Sequence, residues 1–149
     1  MNFINSTRQQ LNILLMIALM ILSPLLSAQN KAVSISANDE LNFGMISNEN
    51  GTCRMNDQGI LSGLNGQTCM GTGTSASFQL SGTKYYSIFI LVAGGSSNGV
   101  SLTPVIVGAS SRVLDNKGKS TLNIVGDLVL NNVSEGSLSL SYSVSVNYE

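Results

Sequence analysis

The sequence contains no histidine and no tryptophan, and only 10 % of its residues are charged. Without histidine, neither a Ser-His-Asp nor a Cys-His catalytic arrangement can be assembled. A zinc site would also lack its commonest nitrogen ligand. Seven basic residues face eight acidic ones, so the net charge gives no reason to expect a phosphate backbone or an anionic membrane as a partner. Of the two prolines, only Pro104 lies beyond the first 28 residues. The carboxylates Asp39, Asp57, Asp115, Asp127 and Glu135 stand singly near turn residues, with no spacing that pairs them. The chain therefore reads as a protein that is not an enzyme and carries no cofactor.

What remains is organised by position. Residues 1–28 hold one basic residue, Arg8, then the apolar run "LNILLMIALMIL" and "SPLLSA". That is the layout of a cleavable secretory signal, with the cut expected after Ala28. The run to Leu26 is interrupted by Pro24 and falls short of the ~20 residues that cross a bilayer. Export places Cys53 and Cys69, sixteen residues apart, in an oxidising compartment, where an even count favours a structural disulfide. Neither belongs to a C-x-x-C motif.

Beyond the signal, apolar residues recur with a period of two, and no helical stripe is present. Val33, Ile35 and Ala37 share one parity, as do Leu41, Phe43 and Met45, with "NDE" between them. "SASFQLSG" places Ala76, Phe78 and Leu80 on one face. "KYYSIFILVAG" is nearly continuous and reads as a strand covered on both sides. Pro104 marks an edge or a bulge. The end, "GSLSLSYSVSVNYE", alternates over its whole length: Leu138, Leu140, Tyr142, Val144, Val146 and Tyr148 against serines and Asn147.

Seven or eight short strands separated by turn residues predict one all-β domain. An immunoglobulin-like antiparallel β-sandwich is the expected architecture, ahead of a closed barrel.

Three fragments resemble binding motifs and fail on their context. "GTGTSA" (71–76) leads into a strand, where a phosphate loop needs a helix. "GKS" (118–120) has Val113 where a P-loop needs glycine. "LDNKGKS" lacks the acidic residue that closes a calcium loop, and its two lysines oppose a cation. Tyr85 could offer a sugar-stacking ring, against the plainer reading of the tyrosines as packing residues.

Three stretches together carry a family resemblance: "LNFGMI" (41–46), "SASFQLSG" with "YYSIFI" (75–90), and "YSVSVNY" (142–148). They resemble a family of small exported bacterial β-domains of unknown function, with an L-x-F-G start and a Y-x-V-x-V-x-Y end. That family is in turn similar to pilin subunits assembled by chaperone–usher secretion. The chain departs from the family's simplest members in its cysteine pair.

The resemblance implies a pilin-like sandwich lacking one strand, completed by a donor strand from a neighbouring subunit. The N-terminal extension, 29–40, then supplies Val33, Ile35 and Ala37 as the donor, ahead of a β-sandwich at 41–149. Leu138, Leu140, Tyr142, Val144 and Val146 line the accepting groove. It further implies identical or related subunits as head-to-tail partners, a periplasmic chaperone, an outer-membrane usher, and a place at the cell surface or in the periplasm. The same residues admit a second arrangement. Val33 to Met45 keep one parity, so the segment could serve as the first strand of its own domain. The product would be an autonomous secreted or periplasmic binding module, with ligand contacts on loops 56–67 or 94–99.

Overall fold

The computed structural model describes residues 31–67 and 69–149, so the expected signal peptide lies outside the described residues. Among the described residues there is no helix. Twelve strands follow in order: β1 (Ser34–Asp39), β2 (Met45–Ile46), β3 (Gly51–Met55), β4 (Leu61–Leu64), β5 (Cys69–Met70) and β6 (Ala76–Ser81). Then come β7 (Ser87–Ala93), β8 (Ser96–Ser97), β9 (Val100–Ile106), β10 (Ser111–Val113), β11 (Lys119–Leu130) and β12 (Ser143–Tyr148).

All ladders are antiparallel. The larger sheet is built on β11, whose twelve residues pair β6 along the first half and β3 along the second. β9 lies along its opposite edge. β1 extends this sheet beyond β6, and β4 extends it beyond β3. A second sheet has the order β10-β7-β12, and β2 pairs β5 as a short ribbon.

The two main sheets face one another. Ala76, Leu80, Leu122 and Ile124 of the larger sheet pack on Ile88 and Ile90 of β7, all at most 1 % exposed. Each of the leucines and isoleucines contributes about 1.5–3 kcal/mol on burial. A second cluster gathers Phe43, Cys53, Met55, Val100, Leu102 and Leu128. Leu41 and Tyr142 touch both clusters. The fold is all-β with antiparallel sheets, consistent with a β-sandwich, and the Cys53–Cys69 disulfide links β3 to β5.

Two local expectations need correction. β7 is covered on one face only: Phe89 and Leu91 are 38 % and 53 % exposed while Ile88 and Ile90 are buried. An antiparallel sheet can leave one face to water, and nothing in an apolar run tells a reader which face is left. The terminal alternation is also not one strand. Its ladder begins at Ser143, opposite Ala93, and residues 136–142 join none. The cause lies in β7's partner edge. After Ala93 the chain joins the larger sheet, where the Gly95 carbonyl accepts from Leu102 N–H at 2.9 Å and β8 pairs β9. β7 thus leaves nothing for Leu138 and Leu140 to pair with.

Pro104 lies in β9 opposite Gly126. Val107 N–H donates to the Asn123 carbonyl at 3.0 Å, and bonded pairs recur at every second residue. The Pro104 nitrogen therefore faces away from β11, where the ladder does not need a donor. Gly126 lets the strands approach, because a Cβ there would lie 2.7 Å from the Thr103 carbonyl oxygen. Gly126→Ala is expected to destabilise the fold by about 1–3 kcal/mol, the usual cost of overpacking, read as a shifted urea midpoint.

Candidate functional site

The open side of the sandwich lies between β1 and β12. Ile35 stands opposite Leu80 and Ala37 opposite Phe78, so both share the inward face of β6. Leu80 is fully buried, yet Ile35 is 39 % exposed and every residue of β1 is exposed. Val33, just before β1, packs on the inner cluster. The expected donor residues are thus seated in cis, on an edge that the rest of the fold does not seal.

The start of this segment is fastened at one point. The Tyr148 hydroxyl donates to the Lys31 carbonyl and accepts from Thr83 N–H at 2.7 Å. Tyr86 braces Tyr148 edge-on, with ring centroids 5.6 Å apart.

β12 pairs β7 along one edge only. Glu149 N–H donates to the Ser87 carbonyl, and the register runs from Tyr148 opposite Ile88 to Ser143 opposite Ala93. Bonded pairs therefore fall at the odd positions 143, 145 and 147. The N–H and C=O groups of Val144 and Val146 point to the other edge, where no strand pairs among the described residues. Their side chains, with Tyr148, face the core and are half-buried.

At the upper end of this edge a groove of about 1020 Å³ opens between residues 39–46 and 136–142. Leu102 and Leu128 of the core also line it. Met45, Ile46 and Met70, from the β2–β5 ribbon, form one wall. Leu138, 40 % exposed, Leu140 and Tyr142 form the other. The groove continues into a smaller lobe of about 350 Å³ beside Leu130, Val133 and Glu135. Burial, with Glu40 nearby, raises the Tyr142 phenol above its ordinary pKa.

Of the expected acceptor residues, the fold brings Leu138, Leu140 and Tyr142 to the groove, and puts Val144 and Val146 on the adjoining open edge. The wall contributed by Met45 and Met70 was not legible in the sequence. It depends on a ribbon of two residue pairs that the disulfide places, and the alternation of Leu41, Phe43 and Met45 gave the only hint.

The strained positions lie elsewhere. Tyr85 has φ 63° and is 65 % exposed, in a left-handed conformation that bulky residues seldom adopt. Among the described residues no group of three or more His, Cys, Asp or Glu could hold a metal ion. Asp115 acts as a turn residue, its Oδ1 accepting from the amides of Lys119 and Lys117 at 2.7 and 2.8 Å. Those bonds hold its carboxyl below the usual range. Compared with protein-family models, curated proteins and solved structures, the chain matches none.

Proposed function

We propose that the chain is a structural subunit of an extracellular fimbria or pilus, assembled by donor-strand exchange on a pilin-like, immunoglobulin-like sandwich. The observation that carries this reading is the outer edge of β12. It offers the backbone groups of Val144 and Val146 beside the groove that Leu138, Leu140 and Tyr142 line, with no strand on it among the described residues. Such an edge templates strand addition.

The incoming strand needs alternating apolar residues, and Val33, Ile35 and Ala37 of a second copy supply them. Their seat on β6 supports an exchangeable strand, because β1 buries little of itself there. Contacts of this kind join unlike surfaces and do not close on themselves, so the product is a fibre. A periplasmic chaperone would shield the edge before assembly, and an outer-membrane usher would pass subunits on.

The second reading is an autonomous secreted or periplasmic binding module. The β1–β6 ladder within one chain favours it.

Ile35→Asp separates the two. The side chain is 39 % exposed, so the isolated domain is expected to lose no more than about 1–2 kcal/mol. Under the fibre reading the same variant forms no polymer. Polymer at wild-type yield from Ile35→Asp would sink the donor assignment, and a monomeric wild-type chain would favour the binding module.

A further inference from the structure

Charge on this chain is scarce but unevenly placed. The described residues include four lysines at one end of the sandwich: Lys31 before β1, Lys84 before β7, and Lys117 and Lys119 at the turn into β11. Their loops are tied together. Gly82 N–H donates to the Gly118 carbonyl at 2.8 Å, and Tyr85 N–H to the Leu114 carbonyl at 3.0 Å. Thr83 Oγ1 donates to the Lys31 carbonyl. All four lysines are exposed, and among the described residues none is in an ion pair. Two carboxylates share this end, and both are engaged. Asp115 accepts from two backbone amides, and Glu149 accepts from Ser111 Oγ. Tyr85 stands out among the lysines, 65 % exposed.

The groove has the opposite character. Asp39 and Glu40 line it and Glu135 lines its smaller lobe, while no lysine or arginine of the described residues lines either. We propose that the lysine end of one copy docks into the acid-rimmed groove of a second copy, with Tyr85 entering over the Leu102 and Leu128 floor. The proposal rests on the reading that copies associate end to end, and names the two surfaces that meet. Charge complementarity selects a second copy as the occupant, because the same chain carries both halves. Opposed charges of this kind steer encounter and fix register. An exposed aromatic among them is the common anchor of an interface. The contact sets Glu40, to which β1 is tethered, beside the end of β12 in the docked copy, where strand addition would begin.

The test is sedimentation velocity of the purified chain, with charges reversed on either surface. Lys84→Glu with Lys119→Glu alters the lysine end, and Asp39→Lys with Glu40→Lys alters the groove. Wild-type association is expected to weaken at least tenfold between about 0.02 and 0.5 M salt as screening shortens. Each double variant is expected to lose association at about 0.1 M salt, with an unchanged melt because all four side chains are exposed. The quadruple variant, whose net charge equals that of the wild type, should regain it. Tyr85→Ala should weaken association without altering its salt slope. Association untouched by either reversal, or absent from the quadruple variant, would overturn the proposal. Strand exchange is read separately, as a detergent-resistant, heat-labile ladder, so either contact can fail while the other stands.

Discussion

Replacing Cys53 and Cys69 together by alanine is expected to lower the unfolding free energy by about 3 kcal/mol, the entropy gained by an unfolded chain freed of a sixteen-residue loop. The bridge also helps hold the β2–β5 ribbon, which single β-bridges at Asn42–Thr74 and Ile60–Thr72 flank. Cys53 is fully buried in β3, among Met55 and Leu128. Cys69 lies in β5, whose ladder to β2 has only two residue pairs. Without the bridge that ribbon frays, and it carries the Met45, Ile46 and Met70 wall of the groove. Urea unfolding of the double variant, and of the wild type under reductant, should show the same loss. Alanine is the informative replacement, since serine would bury a hydroxyl. A loss below about 1 kcal/mol would mean that the ribbon stands on its packing alone.

Proline substitutions along β12 are expected to part stability from assembly by parity. Ser145 pairs with Leu91 at a bonded position, so Ser145→Pro removes a ladder donor from within the sheet and leaves a carbonyl unmet. That costs about 1–3 kcal/mol before backbone strain is counted, and the monomer should melt lower. Val146 lies at a position whose N–H faces the open edge. Val146→Pro therefore keeps the β7 ladder and loses only part of a half-buried side chain. On the strand-exchange reading it removes a donor that an incoming strand requires, and detergent-resistant polymer should disappear. Melting curves and unboiled gels of the two variants, run together, check the contrast. Equal assembly by Val146→Pro and the wild type would show that this edge is not used.

Where alternation was confined to one face, it was legible in the sequence. Ala76 and Leu80, and Val144 with Val146, fall on the inward sides that their parity assigned. The "LDNKGKST" turn was equally plain, because an aspartate that accepts from amides two and four residues on builds such a turn by itself. What the sequence could not express was partnership. The run through Phe89 and Leu91 reads as doubly buried, yet only the sheet's position decides that one face is left to water. The alternation of Leu138 and Leu140 matches that of Val144 and Val146, yet the ladder stops at Ala93, beyond which the chain pairs with β9 through Gly95 and β8. β4 was hidden inside a Gly- and Asn-rich stretch that reads as a loop. The groove follows from that same failure of pairing. Residues 136–142 bound an opening because no strand pairs with them, and no local pattern encodes an absent strand.

The most direct test of strand donation between copies is a denaturing gel of the purified chain, loaded unboiled beside a boiled sample. Strand exchange predicts a ladder of multiples in the unboiled lane that collapses to one band on boiling, because a donated strand is released only when the acceptor unfolds. A single monomer band in both lanes, with a cooperative melt in solution, would contradict it: β1 would then stay on its own β6, and the open edge of β12 would need another explanation.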